Sequence, residues 1–450
     1  MIFSFIKYTQ PSWYFNIVPK AKSFATCYYH PQWLPLPNAC EIDSDSLYET
    51  ESARNADIGY NAWNKGYFLK SNNEVIEKIK LLPKPTINDE YRFLIKYWGI
   101  HWAALTFVRR VLTFHNPIKE IIGFMKNYKT PKSNLFNKVN NWDSYHSFSS
   151  ELVLQQPLVS VIIPTLNRYE YLEDVMLDLE KQTWKNFEVI VVDQSENFEE
   201  QFYKKFSLNI NVVQQKEKLL WTARNLAVKM SKANYLLFFD DDSRVEPDWI
   251  EQHIKTLEFF NSDISAGVSL AVIGGKISKS YDHFRWADQF DSGNALVKRE
   301  VFNKIGLFDL QFNKERMGDS EFGLRAYLNG YNSVSNPYAK RVHLKVSSGG
   351  LREIGHWDAF RPKKLFAPKP VPSVIYLFKK YYPKHLYKSS VYLGIMLSNI
   401  SYKNKSKNSM LLLSIILTVF KLPLLYIQLQ KSLSIANKKL ADGDMIEKLL

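Results

Sequence analysis

Between residues 158 and 350 the apolar positions follow two rhythms in alternation. Val159-Ser160-Val161-Ile162-Ile163 is short, rich in β-branched residues and closed by Pro164, the signature of a buried parallel strand. Leu172, Val175, Met176 and Leu179 follow at i, i+3, i+4 and i+7, which is one helical stripe. Phe187 to Val192 forms a second apolar run ending at Asp193, and Ile210 to Val213 a third. A stripe of Ala223, Leu226, Ala227 and Met230 leads to a fourth run, Tyr235 to Phe239, which ends at three aspartates. Pro247 then opens a helix at its favoured first position, with Ile250, Ile254 and Leu257 facing inward. Strands alternating with helices predict an α/β fold, a doubly wound and mostly parallel sheet with right-handed crossovers. Ligands of such sheets sit at the carboxyl ends of the strands. Pro164, Thr165, Asn167, Asp193, Gln194 and Asp240 to Asp242 all fall at those ends.

The flanks read differently. Residues 1–150 predict an accessory region that is helical in part, with a helical segment from Asp89 to Tyr128. Arg109 and Arg110 interrupt that segment, which argues against a membrane span. Residues 361–450 predict a basic helical tail in which tyrosines alternate with lysines and prolines. Leu411–Leu429 is a mostly apolar run there, broken by Lys421 and Pro423. A lysine at mid-membrane is costly, so a helix lying in the membrane surface fits better than one that crosses it. The expected boundaries are thus an accessory region over 1–150, an α/β domain over 157–350 and a tail over 361–450.

Charge sharpens this division. The chain carries a net +14. The stretch from Arg361 to Leu450 holds sixteen Lys and Arg against three acids, or +13 of that total. The basicity therefore belongs to the tail, where aromatic and aliphatic neighbours suit an anionic lipid surface. No nucleic-acid motif accompanies it, so no nucleic-acid partner is expected. Cys27 and Cys40 are the only cysteines, too few for a disulfide framework though enough for one pair, and the N-terminus is not expected to be a secretory signal. A protein on the cytoplasmic face of a membrane is the expectation.

Asp240-Asp241-Asp242 is the first chemical signal. Three carboxylates at one strand end repel one another, and a hard divalent cation, Mg²⁺ or Mn²⁺, relieves that repulsion through oxygen ligands. Five segments then stand in order: Val159–Asn167 (VSVIIPTLN), Phe187–Ser195 (FEVIVVDQS), Ala223–Asn225 (ARN), Tyr235–Asp242 (YLLFFDDD) and Gly318–Arg325 (GDSEFGLR). In order and spacing they resemble the inverting family 2 glycosyltransferases of the GT-A fold.

The resemblance implies transfer of a sugar from a nucleotide diphosphate to a hydroxyl of a glycan or lipid-linked acceptor, with a UDP- or dTDP-sugar as donor, in surface polysaccharide synthesis. Pro164, Thr165, Asn167, Asp193, Gln194, Arg224 and Asp240 would bind the donor nucleotide. Relatives usually carry a second Asp where Gln194 stands, and often an aromatic residue at the position of Leu166. Asp240, Asp242 and His343 would hold the cation, with Asp241 the most structural of the three aspartates. Asp319 would be the catalytic base, a helix cap being the alternative for an Asp there. Trp286, Asp291, Gly293, Asn294 and Glu321 would face the acceptor, Glu321 doubling as reserve base. Ser347-Ser348-Gly349-Gly350 suggests a lid. The rival readings are an inactive glycan- or nucleotide-sugar-binding protein on the same fold, and a glycoside hydrolase.

Overall fold

The structure, a computed structural model, describes residues 2–36, 42–271, 273–346, 350, 358–400 and 409–449. The chain forms two compact units, one of residues 1–139 with 358–442 and one of residues 140–357 with 443–450. The two terminal stretches, separate in sequence, thus share a unit, while the last eight residues belong with the α/β domain.

In the first unit a small antiparallel pair, β1 (Phe24–Thr26) and β2 (Leu69–Ser71), accompanies a set of helices. The segment expected to be helical over 89–128 holds three helices: Ile87–Trp98, Ile100–Leu112 and Pro117–Asn127. Local chemistry sets each boundary. Thr86 and Asp89 form a reciprocal capping box at the first start. Gly99, at φ 87°, ends that helix with a conformation that disfavours any side chain. Asn116 Oδ1 accepts from the backbone of Ile118 and Lys119, with Pro117 at the first helical position. Phe5, Tyr91, Leu94 and Ile95 form one small core of this unit.

The tail adds helices Pro372–Tyr381, Lys384–Leu397, Ser409–Phe420 and Leu422–Asp442. Its apolar run is not one helix: the chain breaks at Lys421 and its halves bend by 79°. Among the described residues no single helix is long and apolar enough to cross a membrane. Cys27 is a buried free thiol, pushed up to about 12 by burial, and Cys40 lies outside the described residues.

The second unit is built on a nine-stranded sheet. Its strands are β3 (Val159–Thr165), β4 (Phe187–Asp193), β5 (Ile210–Gln214), β6 (Tyr235–Phe239), β7 (Ser243–Val245), β8 (Ile264–Leu270), β9 (Arg285–Trp286), β10 (Asn294–Lys298) and β11 (Ser333–His343). The order is β5-β4-β3-β6-β10-β8-β11-β7, with β9 paired to β11. β3 to β6 are mutually parallel, β10 runs against both β6 and β8, and β11 is parallel to β8. The fold is the mostly parallel, GT-A type α/β sheet that the sequence predicts. Alternate strand residues Val161, Ile163, Val189, Val191, Leu237 and Phe239 pack with Leu172, Val175, Met176 and Leu179 of the helix Tyr169–Glu180, which is why those runs read as buried. One boundary moves. Pro247 lies in a turn closed by Trp249 N to Glu246 O, and the helix runs Trp249–Phe259.

Two features of register shape the site. Asn294 pairs with Phe239, so the start of the reversed strand β10 arrives where β6 ends. β7 folds back from that same end and sets His343 of β11 opposite Ser243, while Leu344 N donates to Asp242 O at 2.9 Å. Residues 243, 294 and 343, far apart in sequence, meet at one strand end.

Candidate active site

A cavity of about 620 Å³ opens at this edge of the sheet. Asp240, Asp242, His343 and Asp319 all line it. The two acidic clusters named from sequence therefore face one space.

The floor is the end of β6. Asp240 Oδ1 accepts from Arg224 Nη2 at 2.9 Å and Oδ2 from Arg341 Nη1 at 2.7 Å. Burial opposes its ionisation, but Arg341 and then Arg224 outweigh burial and hold the carboxyl far below the usual range. Asp241 accepts from Thr165 Oγ1 and from Arg168 Nη1, both at 2.9 Å. Burial raises it to about 6, helped by Asp242 and opposed by Arg168. Asp242 Oδ1 lies 3.2 Å from His343 Nε2. Its Oδ2 is buried and accepts no hydrogen bond, with the Arg168 guanidinium at 3.3 Å.

These residues fit a divalent cation. Ligand atoms of Asp240, Asp242 and His343 lie within 4.8 Å of one another, and two carboxylates with an imidazole suit Mn²⁺ or Mg²⁺. That Asp242 oxygen, which accepts no hydrogen bond and has only the Arg168 guanidinium near it, is the point that gains most from a cation.

The opposite wall is the helix Gly318–Leu328. Met317, in the left-handed region at φ 83°, occupies the cap position without a side-chain cap bond, so Asp319 is not the helix cap. Gly318 lets the helix start against Trp221, whose indole ring would lie 2.3 Å from any added Cβ. Asp319 is displaced upward, first by burial and then by Asp291, against the pull of Arg224 and Arg316.

Arg341 ties the floor to a third element. Its Nη2 donates to Asp291 Oδ2 at 2.9 Å and its Nε to Ser269 Oγ at 2.7 Å. Burial works against its charge, yet Asp291 and Asp240 raise its affinity for the proton. Arg341 therefore stays cationic in a buried place. Gly293 stands where a Cβ would fall 2.2 Å from Asp240 Oδ2 and 2.3 Å from Arg341 Nη1, so the close approach there requires glycine.

The sequence-expected site residues divide. Pro164, Arg224, Asp240, Asp242, Asp291, Gly293, Asp319 and His343 line the cavity. Thr165 does not, because its hydroxyl is turned to Asp241. Asn167 is exposed on a loop, its side chain accepting from Glu196 N. Asp193 is fully buried and already accepts from Tyr169, Tyr203 and the Ser195 backbone. Gln194, expected to bind the donor nucleotide, accepts at Oε1 from Leu219 N at 2.7 Å, and its buried Nε2 has no hydrogen-bond partner.

Three acceptor-side expectations are corrected. Trp286, 1% exposed, is core. Asn294 is fully buried, accepting from Trp249 Nε1 and donating to Val268 O and Ala339 O. Glu321 is fully buried and paired with Arg325 at 2.8 Å, so it is no reserve base. Of the expected lid, residues 347–349 lie outside the described residues; Gly350 N donates to Leu166 O at 2.8 Å. Sequence reasoning missed Arg168, Arg341, Trp221, Arg316 and Lys345, which also line the cavity. Arg341 follows Lys340 and stands two residues before His343, and that position was the available sign for it.

A parallel-sheet domain whose strand ends carry an acidic, arginine-braced cavity has the architecture of the GT-A glycosyltransferases. Residues 160–314 match the sequence profile of Glycosyl transferase family 2. The chain is 29% identical over 216 residues to the putative glycosyltransferase EpsH of Bacillus subtilis, covering 42% of this chain and 62% of EpsH. It is 27% identical over 223 residues to the chondroitin synthase of Escherichia coli, covering 38% of this chain and 32% of that one. The chain thus spans less than two thirds of each of these relatives. Solved structures with a similar trace include the mannosyltransferase PcManGT of Pyrobaculum calidifontis in complex with GDP-Man and Mn²⁺, at 15% identity and TM-score 0.39, covering 67% of this chain and 92% of that one. Another is S. aureus TarS 1–349 in complex with UDP, at 20% identity and TM-score 0.38, covering 56% and 74%. Superpositions that loose transfer no residue's role.

Proposed function

We propose that this protein is an inverting glycosyltransferase that moves a sugar from a nucleotide diphosphate, a UDP- or dTDP-sugar, to a hydroxyl of a glycan or lipid-linked acceptor. The observation that carries the reading is that Asp242 with His343 and Asp319 with its raised proton affinity line the same cavity. Two carboxylates pushed in opposite directions suit two different tasks.

A cation held by Asp240, Asp242 and His343 would supply charge neutralisation for the departing diphosphate. Arg224, half of whose guanidinium is committed to Asp240, presents further positive charge to the same phosphates, and Arg168, paired with Asp241 and Asp242, lines the same cavity. Trp221 and Leu166 give the cavity apolar wall against which the donor can pack. Asp319 accepts the proton of the acceptor hydroxyl while that oxygen bonds to the anomeric carbon. The bond from that carbon to the diphosphate oxygen breaks, and the nucleotide diphosphate leaves with the electron pair. Asp291 and Gly293 are the expected acceptor-side groups that remain on the cavity.

The basic, aromatic tail supports a place on the cytoplasmic face of a membrane, next to a lipid-linked acceptor and within surface polysaccharide synthesis. The test is purified full-length protein with Mn²⁺ and a panel of UDP-, dTDP- and GDP-sugars, following release of nucleotide diphosphate with and without acceptor glycans. Acceptor-dependent release that a chelator abolishes and Mn²⁺ or Mg²⁺ restores is the expected result. Tight donor binding by calorimetry without turnover on any acceptor would replace the enzyme with a nucleotide-sugar-binding protein.

A further inference from the structure

The helix Pro117–Asn127 is amphipathic in the wrong sense for a soluble protein. Its inward residues are Glu120, Gly123 and Asn127. Glu120 is fully buried, paired with Arg110 at 2.8 Å and accepting from Tyr91 Oη at 2.8 Å. Asn127 Nδ2 donates to Gly123 O and Asn88 O. Gly123 brings the helix against Ile87 and Tyr91, with no room for a Cβ. Its outward residues are Ile118, Ile121, Ile122 and Met125, at i, i+3, i+4 and i+7, each at least half exposed. The preceding helix, Ile100–Leu112, exposes Val108 and Leu112, and Phe114 at the turn between them is 99% exposed. An apolar face this continuous, on a hairpin whose polar side is folded inward, marks a surface that is not meant for water.

The charge around it indicates what covers it. From Ile100 to Lys132 there are six Lys and Arg and one acid, Glu120, a net of +5. That acid is buried, so the surface of the hairpin shows only positive charge. Lys119 and Lys129 flank the apolar face with stems long enough to lie along it, and Lys126 beside them pairs with Glu49 at 2.6 Å. A hydrophobic tip ringed by lysines matches a bilayer whose headgroups are anionic and whose interior is apolar. Basic charge in this protein therefore has two homes, the tail and this hairpin.

We propose that the hairpin Ile100–Asn127 is a second membrane-docking element, which inserts Phe114 and the Ile118–Met125 face into an anionic lipid surface. It stands independently of the transferase reading, because lipid partition is measured without donor or acceptor. The experiment is co-sedimentation of the full chain with vesicles of phosphatidylcholine alone or with added phosphatidylglycerol, for the wild type and for Phe114→Asp/Ile122→Asp. Both positions are exposed, so thermal melting should not change. The expected result is preferential binding to the anionic vesicles and roughly a tenfold or greater loss of partition in the variant, with transfer to a soluble acceptor retained. Equal partition of variant and wild type would overturn the proposal, as would binding indifferent to anionic lipid. Lipid-free self-association that the variant abolishes would overturn it in favour of a second copy of the chain as the occupant.

Discussion

Asp240 and Asp319 are the same side chain on two walls of one cavity, and the protein treats them oppositely. At the floor, Arg224 and Arg341 approach the two oxygens of Asp240 within 3 Å and hold it ionised. At the helix wall, burial and the neighbouring charge of Asp291 push Asp319 toward its protonated form. The difference teaches which wall does which task. A carboxylate whose charge is fixed suits a cation and phosphates, while one whose proton affinity is raised suits proton transfer.

The largest effect should come from removing the second of these groups. Asp319→Asn keeps the shape and removes the basic oxygen, so kcat should fall about 10²–10⁴-fold while donor affinity by calorimetry stays near wild type. Unchanged turnover would move the base elsewhere and end the contrast between the walls.

Arg341→Met attacks the floor instead. It leaves Asp240 and Asp291 facing each other across a buried site with one cation fewer. A fully buried pair broken this way costs about 3–5 kcal/mol; both acids here are partly open to the cavity, so about 2–4 kcal/mol is expected by denaturant unfolding. A loss under ~1 kcal/mol would mean that solvent, not Arg341, balances the floor. Gly293→Ala is a smaller probe of the same place. Its methyl must displace Asp240 or Arg341, and overpacking of that kind costs about 1–3 kcal/mol. The side effect to look for is weaker Mn²⁺ binding, because Asp240 is one of the atoms moved.

The floor and the wall were not equally legible. The sheet announced itself because Val161, Ile163, Val189, Val191, Leu237 and Phe239 alternate in runs that only burial on both faces explains. Asp240 to Asp242 followed from the end of such a run. What periodicity cannot say is which polar neighbour of a strand end turns to the ligand and which turns to the protein. Asp193 is consumed by Tyr169 and Tyr203, residues 24 and 10 positions away. Asn294 looked like a site residue yet serves Trp249, Val268 and Ala339. Arg341 escaped notice because its partners, Asp240 and Asp291, lie 101 and 50 residues away. Long-range pairing of charge leaves no local trace. The helix Pro117–Asn127 teaches the same lesson from its apolar side. The i, i+3, i+4 pattern of Ile118, Ile121 and Ile122 says that a stripe exists, but only the fold shows that the stripe faces out.

The smallest effect is also the most discriminating, because it acts on the field between the walls and leaves both principal carboxylates in place. Asp319 owes part of its raised proton affinity to Asp291, the second cause after burial. A base must be deprotonated to work, so the rate falls as pH drops through its native pKa, which lies above that of an ordinary aspartate. Asp291→Asn removes one negative charge near Asp319 and also releases Arg341 from a partner. Both changes favour the ionised form of Asp319, so the acid limb of kcat/KM should move to lower pH. The same substitution should leave the alkaline limb where it was. An acid limb that stays fixed, or moves upward, would show that the group titrating there does not feel Asp291 and is not Asp319.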